Sequence, residues 1–126
     1  MEHLDIRNRA KGALLGAFIG EALAMGPHWY YNLEELRRDY GDWISDYTDP
    51  QTNRYHAGLK AGQLTQAGYL LKMMMHSLAE FGDYDEKDFC FRMDSQLFPL
   101  LDGTPISGPG GYTSQSIRDA WRRRVE

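Results

Sequence analysis

Gly12, Gly16 and Gly20 stand four residues apart in the segment Gly12 to Leu23, whose only charged residue is Glu21. Leu14, Leu15, Phe18, Ala22 and Met25 recur at spacings of three and four, so Ile6 to Met25 reads as a helix. On a helix the three glycines share one face. Each costs roughly 1 kcal/mol of helix propensity against alanine. Such a stripe implies a compensating gain, the close approach of another backbone, and so a central helix of a compact bundle. Gly26-Pro27 ends it.

The remaining segments also read as helices. Asn32 caps a short helix from Leu33 to Tyr40, with Glu34 and Glu35 in its first turn and Gly41 as its stop. Gly41 to Leu59 reads as a long loop, a feature that in a compact domain is often functional. A third helix is predicted over Lys60 to Phe81, with an apolar stripe of Leu64, Leu71, Met74, Met75 and Leu78. Asp85 caps a fourth, running to about Leu101, with Phe89, Met93, Leu97 and Leu100 inward. Asp102 to Gly111 is a glycine-proline loop, and Thr113 caps a last helix through Arg124. The apolar positions of that last helix, Ile117, Trp121 and Val125, need a surface, which the sequence suggests lies beyond residue 126. No run of four or more residues alternates cleanly between apolar and polar, so an all-α fold is expected, as a single unit over residues 1–126.

Charge and composition exclude several classes. Fourteen basic residues against 18 acidic give a net charge of -4, which offers no reason to expect nucleic-acid binding. The run Arg122-Arg123-Arg124 reads as a solvated helix face. The single cysteine, Cys90, forbids an internal disulfide, fits a reducing compartment, and sits between Phe89 and Phe91 as a small apolar residue. The apolar run Ala13 to Gly20 is too short to span a bilayer, so no membrane partner is expected. Glu2 and Asp5 dilute the basic start a signal peptide would need, so a cytoplasmic location is expected.

Three groups of residues carry candidate chemistry. His28-Trp29-Tyr30-Tyr31 follows the first helix directly. Such a cluster can line a cleft and stack on a base or sugar, or simply pack as aromatics. Glu21, Asp42, Asp46 and Asp49 are candidate carboxylates, though nothing in the spacing raises the loop aspartates above solvation. The stretch Ser107-Gly108-Pro109-Gly110-Gly111-Tyr112-Thr113 leads into a helix whose exposed N–H groups can bind a phosphate, or merely turns the chain. Standard phosphate-loop, paired-cysteine and His-Glu-x-x-His motifs are missing.

The run Arg9-Ala10-Lys11-Gly12-Ala13-Leu14-Leu15-Gly16-Ala17-Phe18-Ile19-Gly20-Glu21-Ala22-Leu23 resembles the opening helix of the ADP-ribosylglycohydrolase family. Gly62-Gln63-Leu64-Thr65 sits where that family has a Thr-Asp-Asp-Thr metal motif, and Gly111-Tyr112-Thr113 is similar to a turn before a later family helix. His28 to Tyr31 and Tyr55 to Gly62 resemble a divergent bacterial branch. The resemblance implies an all-α helical bundle and hydrolysis of a glycosidic bond in an ADP-ribose-like or nucleoside substrate, free or attached to protein. It implies His28 and Glu21 as catalytic groups, and Trp29, Tyr30, Thr65, Gln66, Gly110, Gly111 and Tyr112 as substrate-binding residues.

Family members use two magnesium ions, but here Gln66 and Ala67 stand where the motif has aspartates, and His28 stands where an assisting glutamate aligns. No metal ligand is therefore expected in this chain, and its cofactor is left unassigned. Two alternatives remain: a catalytically inactive member that binds a ligand or serves structurally, and a helical domain similar only through its glycine-rich packing. The family is longer than this chain, and its second metal motif would follow Glu126. The chain is thus expected to be the N-terminal portion of a larger all-α domain, the alternative being a stand-alone domain completed by homo-oligomerisation. The intact mass of the protein from its natural source checks this: a clearly larger mass is expected, and a mass equal to this chain's would mean a stand-alone domain.

Overall fold

Local capping fixes where the helices begin and end. The computed structural model describes residues 2–101 and 114–125, and every regular element there is helical. The helices are α1 (Glu2–Ala24), α2 (Leu33–Tyr40), α3 (Gln66–Phe81), α4 (Glu86–Arg92) and α5 (Gln115–Val125). The Asn32 side chain accepts from the Glu34 N–H at 2.9 Å and starts α2. Asp85 accepts from the Asp88 N–H at 2.8 Å and starts α4. Gly82 closes α3 in the left-handed conformation, φ 77°, which a side chain would disfavour, and its N–H reaches the Leu78 carbonyl. The predicted loop 102–111 and the predicted Thr113 cap lie outside the described residues.

The third helix starts six residues later than predicted, at Gln66 instead of Lys60. A turn intervenes, in which the Gln63 N–H donates to the Lys60 carbonyl and the Gln63 side chain accepts from the Lys60 N–H. Gly62 takes φ 82° there, and the helix begins only after Thr65, whose extended backbone and side chain form the cap. The predicted stripe of α3 also shifts. Met73 is its apolar core residue, whereas Leu71, Met74, Met75 and Leu78 are half-buried.

The fourth helical run does not wind uniformly. After α4 comes a π-helical turn, Met93–Leu97, and then a 3-10 turn, Phe98–Leu100. Pro99 has no N–H to donate and its ring crowds the preceding turn, so the regular ladder cannot run through it. The Phe98 N–H instead reaches back to the Met93 carbonyl, five residues away. This rewinding turns Phe98 and Leu101 inward and leaves Leu100 exposed, against the even spacing expected from the sequence.

The core gathers α3, the 86–101 segment and α5: Met73, Leu97, Phe98, Leu101 and Ile117 are buried together, with Tyr69, Leu70, Phe89, Met93 and Trp121 packed on them. Ile117 and Trp121 therefore find their cover within the chain. Arg92 ties α4 to α3, donating to Asp88 at 2.6 Å and Glu80 at 2.5 Å. Arg124 pairs with Asp94, and Arg122 lies 3.3 Å from Asp119, so two members of the arginine run are ion-paired on the surface. Cys90 is half-buried. Among the described residues no helix is long and apolar enough to cross a membrane.

The loop between α2 and α3 is pinned at several points. The Tyr40 hydroxyl lies 2.8 Å from the Gly26 carbonyl oxygen and 3.0 Å from that of Asp49. The Asp49 carboxylate accepts from the Ala61 N–H at 2.7 Å, which, ahead of the nearby Lys60 ammonium, holds it below the usual carboxylate range. Arg54 pairs with Glu35 and lies 4.1 Å over the Tyr30 ring. These ties accompany the return of Tyr55 and His56 to the rings of Trp29 and His28, just beyond α1.

α1 departs most from expectation. Among its described residues, packing is confined to the C-terminal end, where Ala22 and the following Met25 are buried, while Leu15 and Ile19 are 62% and 51% exposed. Among the described residues, nothing lies within 4 Å of a Cβ built on Gly12, Gly16 or Gly20. The close backbone approach expected of the stripe is not made by these residues, because α1 meets α3 only at the Glu21 end. Gly26 is the opposite case: a Cβ there would collide with the Thr48 hydroxyl and come within 2.8 Å of its carbonyl oxygen. Gly16→Ala should therefore stabilise this chain by up to about 1 kcal/mol. Gly26→Ala should destabilise it by about 1–3 kcal/mol. Chemical denaturation of the two variants checks both signs.

Candidate functional site

The site begins with a carboxylate at a helix start. Glu21, on the packed end of α1, accepts from the Thr65 N–H at 3.1 Å and from the Thr65 hydroxyl. The Thr65 oxygen in turn accepts from the Ala67 N–H at 3.3 Å. An anion is favoured here by the dipole of α3 as well as by these bonds. Gly68 makes room for it, since a Cβ at that position would lie 2.5 Å from the Glu21 Oε2. One residue along, Gln66 Oε1 accepts from the Ser114 N–H at 3.2 Å, which joins the starts of α3 and α5.

Beside these clasps lies a cavity of about 380 Å³, lined by His28, Trp29, Tyr55 and His56. Among the described residues, Thr65, Gln66, Ala67 and Leu70 at the start of α3, and Ser114, Ser116 and Ile117 at the start of α5, also line it. The size falls within the range of small-molecule sites. The Trp29 ring is 4.1 Å from Tyr55 and 5.6 Å from His28, and the His28 ring is 5.2 Å from His56.

Burial holds both imidazoles below the ordinary histidine range. For His28 burial is opposed by the nearby Glu21 carboxylate. For His56 burial is reinforced by the proximity of His28 and opposed by Glu21. Both rings are therefore neutral near pH 7, where a neutral imidazole can give or take a proton.

The structure thus brings His28, Trp29, Thr65 and Gln66 to one cavity, with Glu21 directly beneath Thr65. Tyr30 goes elsewhere. Its hydroxyl donates to Asp39 at 2.7 Å and its face lies under Arg54; burial, then the Asp39 bond, pushes the hydroxyl up to about 12. Gly110, Gly111 and Tyr112 lie outside the described residues. Sequence reasoning noted Tyr55 and His56 only as part of the Tyr55 to Gly62 stretch and gave them no place in the site. Their signal was an aromatic and a histidine side by side in a loop too long to be a simple connection.

The donors at the α3 start do not suit magnesium. The ion prefers several hard, charged oxygens in an octahedral set. Here the Thr65 oxygen serves Glu21 and the Ala67 N–H, the Gln66 oxygen is neutral and accepts from Ser114, and Ala67 offers no side-chain oxygen. No group of three or more His, Cys, Asp or Glu among the described residues could hold a metal ion.

Two expectations follow. Glu21→Ala should cost about 1.5–3 kcal/mol in denaturant unfolding, the range for a hydrogen bond to a charged group. Folded His28 and His56 bind protons less readily than their unfolded values of 6.5, so acidification below that value favours the unfolded chain. Melting temperature should fall as pH drops from 7 through the window beneath 6.5, and His28→Gln should flatten that slope.

In a comparison with known families, the family model described as ADP-ribosylglycohydrolase matches residues 2–125. No curated protein and no solved structure matches the chain.

Proposed function

This chain belongs to the ADP-ribosylglycohydrolase family, and from that membership we propose that it hydrolyses a glycosidic bond of an ADP-ribose-like or nucleoside substrate. We place the reaction at the cavity between the His28–Trp29 turn, the start of α3 and the start of α5. The observation that carries the reading is that a neutral imidazole, an aromatic ring and hydrogen-bonding side chains line one cavity of ligand size. Trp29 supplies a stacking face for a base or sugar. Thr65 and Gln66 supply polar groups at the old metal position.

In this reading His28 takes a proton from a water molecule as its oxygen bonds to the anomeric carbon. The bond to the leaving group breaks, its electron pair departs with that group, and the proton that His28 took passes on to it, directly or through solvent, which returns His28 to its neutral form. Glu21 supports the site in two ways: it stabilises the imidazolium so formed, and its anchor on Thr65 fixes the wall. No step is routed through magnesium, because the donors present do not suit it. A cytoplasmic location fits this reading.

A second reading has its own observation. Thr65 and Gln66 are already engaged in joining α1, α3 and α5, which suits a non-catalytic member that binds a ligand in the same cavity.

One assay separates the two. The protein is incubated with an ADP-ribosylated protein and, separately, with adenosine, and released ADP-ribose or ribose is quantified with and without EDTA. Release that EDTA does not diminish and that falls about 10²-fold or more in His28→Ala is expected, the usual scale of acid–base catalysis. No release from either substrate, with binding retained, would leave the binding reading standing.

A further inference from the structure

Among the described residues, two that are not glycine hold a left-handed backbone: Trp29 at φ 65° and His56 at φ 66°. For bulky side chains this conformation is strained and persists only where the surroundings impose it. Both residues line the same cavity. His56 bears a second cost, because its Nε2 is buried with no hydrogen-bond partner. Strain and an unsatisfied polar atom thus fall on one residue, at the wall of a space large enough for a ligand. A ligand that bonds to Nε2 would offset the second cost.

The groups facing His56 define what such a ligand can be. His28 stands at 5.2 Å. Glu21 reaches its field from α1. Tyr55 flanks it in its own loop, and the starts of α3 and α5 contribute the neutral side chains of Thr65, Gln66, Ser114 and Ser116. None of the described residues lining the cavity is a lysine or arginine.

We propose that His56 is the specificity-determining residue of this cavity, its Nε2 hydrogen-bonding a sugar hydroxyl or base nitrogen of the nucleoside portion of the ligand. This rests on the cavity being the binding site, and it names the part of the ligand that enters there. A neutral imidazole both donates and accepts, which matches a hydroxyl or a base edge. A phosphate instead calls for positive charge, which this pair of rings gains only when acidified. His28 and His56 act as one unit, since the first proton taken by either opposes a second on its neighbour.

Adenosine is the probe, with inorganic phosphate as competitor, measured by titration calorimetry at pH 7.5. At pH 7.5 wild type is expected to bind adenosine, and His56→Ala to bind it about tenfold or more weakly, the scale of one buried hydrogen bond. Phosphate should not compete at pH 7.5, where both rings are neutral. His56→Gly guards against misfolding, because glycine accepts the left-handed backbone. It should melt no lower than wild type and still lose adenosine affinity. In the ligand-free protein, the His56 imidazole followed by NMR should titrate higher once His28 is replaced by alanine.

Unchanged adenosine affinity in folded His56→Ala or His56→Gly would overturn the proposal, as would phosphate displacing adenosine at pH 7.5 or no adenosine binding by wild type. Adenosine bound through His56 with no product released from any substrate would support it, and would tell against the hydrolase reading alone.

Discussion

The hydrogen bonds from Thr65 to the Glu21 carboxylate are the contact on which the rest of this arrangement depends. They start α3, they attach α1 to the bundle, and they fix one wall of the cavity. α1 has few other attachments among the described residues: Ala22, next to Glu21, is buried, and so is Met25 just beyond the helix. A carboxylate at a helix N-terminus is a sound choice for such a joint. The unpaired N–H groups there carry partial positive charge, and the bonds they make to an anion are stronger than neutral ones. Gly68 belongs to the same joint, because its missing side chain leaves the space that Glu21 occupies.

Built on that joint, the cavity combines two kinds of support. Its floor is a set of polar clasps at helix starts, Glu21 to Thr65 and Gln66 to Ser114. Its rim is a pair of aromatic dipeptides, His28-Trp29 and Tyr55-His56, each carrying one strained backbone position. The rim is held from behind by Tyr40, Asp49 and Arg54, which tie the long loop to the end of α1 and to α2. At the start of α3, Thr65 and Gln66 are engaged in bonds that hold helices together, while imidazole and aromatic rings line the same cavity.

Much of the helical outline was legible because its signals are local. Asn32, Gly41, Gly82 and Asp85 cap or stop helices through bonds to residues two to four positions away, and the structure uses each as the sequence suggests. Errors arose where distant packing or winding decided the outcome. Lys60 to Leu64 has a helical pattern, yet the cap at Thr65 bonds to Glu21, 44 residues distant, and the helix starts there. Pro99 shifted the phase of the inward residues by forcing a wider turn before it. Tyr30 shares an aromatic run with His28 and Trp29, but Asp39 and Arg54 draw it to the other side.

The sequence by itself determined the all-α class, most helix limits and the family, because helical period, capping residues and a glycine-patterned opening helix are properties of neighbouring positions. It also placed His28, Trp29, Thr65 and Gln66 among the candidates. Only the tertiary structure decided that these meet at one cavity, that His56 joins them, and that Gly12, Gly16 and Gly20 face open space among the described residues. The physical reason is one of range. Backbone hydrogen bonding in a helix is settled within a turn, whereas a cavity is made by side chains from four separate segments, and their register depends on the packing of the whole.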